Sequence, residues 1–211
     1  EGNGGTAPGY GVDFEDGWEF MQDVVFRNNR FKGNLAGDLV ICAGSELLFE
    51  GNVFENNVVV HGRPHNYTFR NNHYTGGKVG YKTRTGIAKF YGNTYENCSL
   101  SIVYDNKAVA DGLNRRPGES VATPPLTLEN ETLNNVSSIT GTYFNFTNSR
   151  LTNARFVAGD ETRLIDFSNC TFNRVSQEYG TVGPEVQVTI RNCKGALEQI
   201  GPGLIRRRLN P

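Results

Sequence analysis

Apolar and polar residues alternate along most of the chain in short blocks that repeat one motif. The stretch "VVFRNNRF" at Val24 returns as "LLFEGNVF" at Leu47, "YTFRNNHY" at Tyr67 and "AKFYGNTY" at Ala88. Within each block, an apolar residue and a variable residue are followed by Asn or Gly. The next position is usually Asn, and a variable residue and a second apolar residue complete the motif. The apolar positions are mostly Phe, Val, Ile and Tyr, which favour strands. The pattern therefore predicts two short strands separated by a sharp bend.

The first apolar residue of the motif recurs at a nearly constant interval. It stands at Phe26, Phe49, Phe69, Phe90, Leu128, Phe146, Phe167 and Ile190, with intervals of 23, 20, 21, 38, 18, 21 and 23 residues. We interpret the interval of 38 as two coils that contain one degenerate repeat, which gives a mean of 20.5 residues. A fixed period near 20 residues is typical of solenoids, in which each unit buries its apolar face by stacking on its neighbours.

The polar positions of the motif predict how the chain turns. The third position is occupied by Asn28, Gly51, Asn71, Gly92, Asn130, Asn148, Asn169 and Asn192. Asn and Gly enter the left-handed backbone region at low cost, so each marks a corner. The next position holds Asn29, Asn52, Asn72 and Asn93, which would form an amide ladder if coils stack ~4.8 Å apart.

These observations predict an all-β fold, a right-handed parallel β-helix solenoid of about nine or ten coils of ~20 residues. The rings of Phe26, Phe49, Phe69 and Phe90 are expected to stack in its interior. A sandwich with a hairpin every ~8–12 residues is the alternative, but it gives no reason for corners that recur in phase.

One domain is expected to cover residues 1–211. Within it, the segment 105–125 is rich in Gly, Pro and charge and is predicted to be a loop insertion. Residues 196–211 are expected to form a C-terminal tail. Because the chain begins at Glu1 rather than Met, we also expect it to be a fragment of a larger chain.

Charge and apolar content argue against nucleic acid and membrane as partners. The formal net charge is −1, so no overall charge attracts nucleic acid. No apolar run approaches the ~20 residues of a membrane span, so no membrane insertion is predicted.

The four cysteines, Cys42, Cys98, Cys170 and Cys193, show no CxxC spacing, and the histidines lack metal-ligand spacing. We therefore predict no metal site and no cofactor. Cys170 and Cys193 follow equivalent corners and are expected to stack as thiols, because stacked side chains point in parallel and not toward each other.

The Asn-punctuated coil of ~20 residues resembles the parallel β-helix proteins, which include pectate-lyase-like enzymes, polygalacturonases, mannuronan epimerases and bacteriophage tailspikes. The resemblance extends from about Gly11 to about Gly195, and the stretch "GVDFEDGW" at Gly11 resembles an element of bacterial and phage β-helix proteins. No catalytic motif of the lyases or polygalacturonases maps onto this sequence, and the epimerase pattern of His beside two Asp is absent. The chain is most similar to tailspike domains. This resemblance implies an extracellular or virion location, contact with polysaccharide and a homotrimer.

Function in such a fold is expected on outward side chains that line up across coils. Further strands begin at "DLVIC", "NVVVH", "GKVGY" and "LSIVY", and "GVDFE" takes the same place one coil earlier. Residues just after these strands should stack ~4.8 Å apart per coil. We call this line the strand-end row. Its predicted members are Asp16, Cys42 or Ala43, His61 or Arg63, Tyr81, Lys82 or Arg84, and Tyr104, Asp105 or Lys107.

The predicted row contains the residue types of a sugar-binding site. Tyr81 and Tyr104 are expected to offer flat faces to pyranose rings. Basic residues are expected to pair with anionic substituents such as uronate, with Arg binding in bidentate fashion. These basic residues are Arg63, Lys82, Arg84 and Lys107, and Asp16 and Asp105 complete the predicted substrate-binding set.

Acidic residues supply candidate catalytic groups. Asp13 and Glu15 alternate on one strand and should share a face ~7 Å apart, and Asp38 is expected one coil from Asp13, at a distance of ~5 Å. Carboxylates ~5–9 Å apart are what glycoside hydrolysis uses. His61 is an alternative general base, and Arg or Lys could stabilise an enolate in β-elimination.

Acidic residues that are merely solvent-exposed, or that form a corner of the backbone, would show the same spacing without any catalytic role. The trio of Asp13, Glu15 and Asp16 is also compatible with calcium, although no loop supplies enough oxygen ligands.

Two functions therefore remain open at the level of the sequence. One is a tailspike-like or secreted domain that recognises surface polysaccharide, and the other is a glycoside hydrolase or lyase acting on an acidic glycan. We favour recognition, because no catalytic signature of the related enzymes is present.

Overall fold

The described part of this computed structural model consists of strands and their connections, without a helix. It comprises residue 2 and residues 9–15, 21–84, 86–105, 126–179, 186–200 and 206–209. The strands are β1 (Tyr10–Phe14), β2 (Val25–Arg27), β3 (Arg30–Phe31), β4 (Gly37–Glu50), β5 (Val53–Phe54), β6 (Val58–Arg70), β7 (His73–Thr75), β8 (Lys78–Thr83), β9 (Ala88–Tyr91), β10 (Thr94–Glu96), β11 (Ser99–Tyr104), β12 (Leu126–Glu129), β13 (Thr132–Asn134), β14 (Ser138–Gly141), β15 (Tyr143–Thr147), β16 (Arg150–Ala158), β17 (Leu164–Ser168), β18 (Thr171–Tyr179), β19 (Gln187–Arg191), β20 (Leu197–Ile200) and β21 (Arg206–Leu209).

The strands wind into a parallel β-helix with three sheet faces. Sheet 1 contains β2, the second half of β4 and of β6, and then β9, β12, β15, β17, β19 and β21. Sheet 2 contains β3, β5, β7, β10, β13 and the start of β16 and β18. Sheet 3 contains β1, the first half of β4 and of β6, β8, β11, β14, the end of β16 and β18, and β20. The predicted all-β parallel solenoid is confirmed.

The number of coils is smaller than predicted. The solenoid has about seven turns of about 21 residues, where about nine or ten coils were expected. The interval of 38 residues accounts for part of this difference, because Phe90 pairs directly with Leu128 and Ser99 pairs directly with Ser138. The degenerate repeat that we placed in this interval is therefore wrong. One long coil fills the interval, and residues 106–125 of it lie outside the described residues.

The predicted corner is confirmed at the backbone level. All its Asn positions have φ between 51° and 57°, and Gly51 and Gly92 have φ of 64° and 66°. A second left-handed corner, which we did not predict, follows sheet 2 at Gly76, Asn97, Asn135, Asn153 and Arg174. Two bends per coil separate sheet 1 from sheet 2 and sheet 2 from sheet 3.

The predicted asparagine ladder is also confirmed. The backbone N–H and the Nδ2 group of Asn52 both donate to Oδ1 of Asn72, at 2.9 and 3.1 Å. Asn72 makes the same pair of bonds to Asn93, at 3.0 and 3.1 Å. At the next coil the ladder meets Glu131, whose two carboxyl oxygens accept from Asn93 at 3.0 and 3.1 Å. The ladder thus satisfies buried backbone donors that the corner would otherwise leave unpaired.

Aromatic rings fill the interior. Phe49 stacks on Phe69 at 4.7 Å between ring centroids, and on Phe26 at 5.5 Å. Phe69 is followed by Phe90 at 6.5 Å. Phe49, Phe69 and Phe90 are at most 2% exposed, which confirms the predicted interior stack for these three rings, while Phe26 at its end is partly buried.

The cysteines after the corner stack as expected. The Cys170 N–H lies 3.3 Å from Sγ of Cys193, and neither residue forms a disulfide. No helix with the length and apolarity of a membrane span occurs in the described part of the chain.

Candidate functional site

The strand-end row lies at the end of sheet 3, and strand register defines it. Phe14 pairs with Ile41, Ile41 with Val60, and Val60 with Tyr81. Side chains alternate between the two faces of a strand, so the residue after each of these points outward. These residues are Glu15, Cys42, His61 and Lys82. Val103 continues the line, because it pairs with Lys82.

The row extends further than the sequence predicted. Thr142 Oγ1 accepts from the Tyr104 N–H at 2.9 Å, and the Arg163 N–H donates to the Thr142 carbonyl at 2.9 Å. The line from Glu15 to Arg163 therefore crosses six coil spacings, which correspond to ~29 Å at ~4.8 Å per coil.

Four chemically reactive side chains converge at the N-terminal end of the row. Asp13, Glu15 and Cys42 each place a ligating atom within 4.8 Å of the others. The Cys42 Sγ atom lies 3.4 Å from Nε2 of His61. We call these residues the Asp13 cluster. Three consecutive coils contribute to it, with Phe14 buried beneath it at 2% exposure.

The electrostatics of the Asp13 cluster centre on Asp13. Desolvation raises the pKa of its carboxyl, and the charge of Glu15 and a hydrogen bond with Glu15 raise it further, while His61 lowers it. Its Oδ1 atom is shielded from solvent and has no hydrogen-bond partner. Two carboxyl groups this close repel each other when both are ionised, so a shared proton or a bound cation would stabilise the pair.

A charged group stands one coil further along the row. The Asp105 carboxylate accepts from Lys82 Nζ at 3.0 Å and from Arg84 Nε at 3.1 Å. The ion pairs are partly exposed, so each contributes little to stability, but together they fix the positions of both cationic side chains.

Beside this group, the row opens into a shallow groove of about 430 Å³. We call it the Lys82 groove. Its polar lining comprises Lys82, Asp105, Thr142, Tyr143, Glu161 and Arg163. Tyr143 is half-buried and packs edge-on against Tyr104, at 6.3 Å between ring centroids. The groove therefore combines two cations, two anions and one partly accessible aromatic ring.

The predicted role of Tyr81 is wrong. Tyr81 is 1% exposed, so it presents no face to a sugar, whereas Tyr104, at 8% exposure, contributes to the lining of the Lys82 groove. Alternation along the strand explains the burial of Tyr81, because Lys82 points outward and its neighbour Tyr81 must point inward. The Tyr81 hydroxyl instead donates to the Tyr74 hydroxyl at 2.9 Å.

The predicted catalytic role of Asp38 is also wrong. Asp38 is fully buried, and its carboxylate accepts from the backbone N–H groups of Glu55 and Asn56 at 2.6 and 2.7 Å and from Asn34 Nδ2 at 2.7 Å. These bonds hold the bend before sheet 3, so the carboxylate is engaged in the interior and does not face Asp13.

Other predicted members of the row lie beside it or outside the described residues. Arg63 pairs with Ala43 beyond a bulge in the register of β4 and β6, and it is half-buried. Asp16 and Lys107 lie outside the described residues.

Sequence reasoning placed Cys42 in the row but gave it no chemical role, and it missed Tyr143 and Arg163. The contact of Cys42 with His61 depends on strand register to within one residue. Tyr143 and Arg163 follow the misassigned interval of 38 residues, which interrupted the alignment of the row.

The sequence matches no protein-family model, and no curated protein or solved structure shows significant similarity to the chain. The function is therefore inferred from the arrangement of its own residues.

Proposed function

We propose that this β-helix is a carbohydrate-recognition domain that binds a surface polysaccharide along the strand-end row. The observation that carries the proposal is the open Lys82 groove, whose polar residues stand on successive coils of one row. A row of ~29 Å is long enough to contact several sugar units.

The residue types of the groove suit a sugar ligand. Asp105 and Glu161 carry acceptors for sugar hydroxyls, and Lys82 and Arg163 carry donors for hydroxyl oxygens or uronate carboxylates. Tyr143, packed against Tyr104, supplies the apolar surface that the buried Tyr81 does not offer. The presence of both charges favours a polar glycan with some anionic groups over a uniformly charged polymer.

The wider biological setting is part of the same proposal. A parallel β-helix that presents a glycan-binding face resembles the tailspike domains and secreted β-helix proteins noted from the sequence. We propose an extracellular or virion-borne domain, assembled as a homotrimer, whose partner is the polysaccharide of a cell surface.

The groove can be tested by binding measurements on matched variants. The expected result is that Arg163→Ala and Tyr143→Ala each weaken binding to a responsive bacterial polysaccharide by about tenfold or more, since a charge-assisted hydrogen bond contributes ~1.5–3 kcal/mol. Arg27→Ala is the control, because Arg27 pairs with Glu50 on sheet 1, away from the groove. Equal weakening by all three variants, or by none, would contradict the groove assignment.

The carboxyl pair of Asp13 and Glu15 supports an enzymatic second candidate, a glycoside hydrolase or lyase. Their ligating atoms lie within 4.8 Å, close to the ~5–5.5 Å of retaining glycosidases. A raised pKa suits Asp13 to donate a proton as a general acid.

Wild type and Asp13→Asn should be incubated with the same polysaccharides, and new reducing ends and unsaturated uronates measured. Turnover by the wild type that Asp13→Asn abolishes would support the enzyme. Background signals from both proteins would leave recognition alone.

A further inference from the structure

The Asp13 cluster combines side chains that are common ligands of metal ions. A thiol, an imidazole and two carboxyl groups lie on three adjacent coils. They are widely separated in sequence, between Asp13 and His61, which explains why no metal-binding spacing was visible. The parallel register brings them together.

The contact between Cys42 and His61 has the length expected between two ligands of a tetrahedral metal site. With a Zn–S distance of ~2.3 Å and a Zn–N distance of ~2.0–2.1 Å, a tetrahedral angle places S and N ~3.5 Å apart. The Cys42 Sγ and His61 Nε2 atoms lie 3.4 Å apart. One carboxylate oxygen each of Asp13 and Glu15 lies within 4.8 Å of the thiol and of the other, and His61 joins this set through its contact with the thiol.

A second observation points to a cation at this place. Oδ1 of Asp13 is buried from solvent and lacks a hydrogen-bond partner, although buried polar atoms are normally satisfied. A cation held among Asp13, Glu15 and Cys42 would satisfy this oxygen. It would also offset the repulsion between the Asp13 and Glu15 carboxylates.

We propose that the Asp13 cluster is a Zn²⁺ site in which Asp13, Glu15 and Cys42 are ligands and His61, which contacts the Cys42 thiol, completes the coordination. The donor set selects the metal, because thiolate and imidazole suit Zn²⁺, whereas Ca²⁺ and Mg²⁺ take oxygen ligands. The ion would join three consecutive coils. This proposal does not depend on glycan binding, since the Lys82 groove lies further along the row.

The test is a metal titration of the tag-free, chelator-treated full chain. We expect one Zn²⁺ per chain by calorimetry. Co²⁺ as a probe should give the strong visible bands of tetrahedral coordination and a near-ultraviolet thiolate-to-cobalt charge-transfer band. Acidification should weaken binding, because protons compete for the thiolate and the imidazole.

Matched variants locate the site. Cys42→Ser should remove the charge-transfer band, and Cys42→Ser and His61→Gln should each weaken Zn²⁺ binding by about 100-fold or more, since even loss of an outer-shell partner costs ~10–100-fold. Cys193→Ser and His73→Gln are the controls, because these residues are also partly exposed and lie on other faces. Their binding curves should match that of the wild type.

Several results would overturn the proposal. They are the absence of Zn²⁺ binding by the wild type, binding that survives both Cys42→Ser and His61→Gln, and a weak octahedral cobalt spectrum. X-ray absorption at the zinc edge of the wild type provides a measurement that no variant's folding can affect. One sulfur ligand at ~2.3 Å beside nitrogen and oxygen ligands at ~2.0–2.2 Å supports the site, and an all-oxygen shell overturns it.

Discussion

Phe69 illustrates how a single residue stabilises the solenoid. Its ring is fully buried, stacks on Phe49 at 4.7 Å and meets Tyr81 at 5.2 Å. We expect Phe69→Ala to lower the free energy of unfolding by ~3–5 kcal/mol, because the truncation loses buried apolar surface and leaves a cavity between rigid strands. Urea unfolding measures the loss. The control is Tyr91→Ala, at 47% exposure, which should cost less than ~1 kcal/mol. Similar losses in both variants would contradict the assigned interior stack.

Glu131 gives the protein an unusual dependence on pH. Its carboxyl is 1% exposed, and burial raises its pKa well above the ordinary value of 4.5. Above pH 4.5 the folded state therefore keeps a proton that the unfolded state releases. The contribution of Glu131 to stability is present below that pH and is lost as pH rises toward the folded pKa, by up to ~1.4 kcal/mol per pH unit.

Replacing Glu131 removes this proton from the equilibrium. We expect Glu131→Gln to flatten the decline in stability between about pH 5 and pH 9 and to be more stable, relative to wild type, at the alkaline end. Urea midpoints measured across this range test the prediction. The exposed Glu198 is the matched control, and Glu198→Gln should keep the wild-type slope. Parallel curves for wild type and Glu131→Gln would show that Glu131 does not titrate with folding.

At the scale of elements, the asparagine ladder joins each corner to the next. Asn72 accepts from the N–H and Nδ2 groups of Asn52 and donates through Nδ2 to the Phe49 carbonyl at 2.9 Å. Asn72→Ala would leave these buried groups unpaired, and we expect a loss of about 3 kcal/mol or more in the free energy of unfolding. Asn173→Ala, at an exposed position of β18, should change it by less than ~0.5 kcal/mol. An equally small effect at both sites would show that water or neighbouring groups replace the ladder bonds.

The sequence was sufficient to predict those elements whose backbone conformation favours particular residue types. Left-handed corners favour Asn or Gly, so Asn28 and Gly51 could be aligned by residue type alone. The second corner is also mostly Asn or Gly, with Arg174 at φ 54° as the exception, but the sequence alignment followed only the first corner and did not use this signal. The interval from Phe90 to Leu128 was misjudged because an insertion and a degenerate repeat lengthen the sequence in the same way.

The candidate site was less predictable than the fold, since it depends on register and side-chain direction. A strand shifted by one residue exchanges its inner and outer faces. A difference of one position therefore decides that Lys82 points outward and Tyr81 inward. The 3.4 Å contact between Cys42 and His61 depends on the parallel pairing of β4 with β6 and on side-chain rotamers. Residue types could nominate Asp13 and His61 as reactive groups, but they could not indicate that a thiol lies between them.

At the scale of the whole molecule, self-association remains a prediction, and a parallel homotrimer is the form that resemblance to tailspikes implies. Pairing through exposed strand edges is the other general route by which β proteins associate.

Closure of the assembly distinguishes a trimer from edge-to-edge polymerisation. A closed trimer with cyclic symmetry has a fixed size, whereas association through strand edges is heterologous and continues to grow. We expect sedimentation equilibrium at micromolar concentration to give a mass about three times the chain mass of 23.3 kDa, unchanged over a tenfold dilution. A mass that increases with concentration would identify open edge pairing. A stable monomer across the whole range would contradict self-association, and polysaccharide would then contact the strand-end row of a single chain.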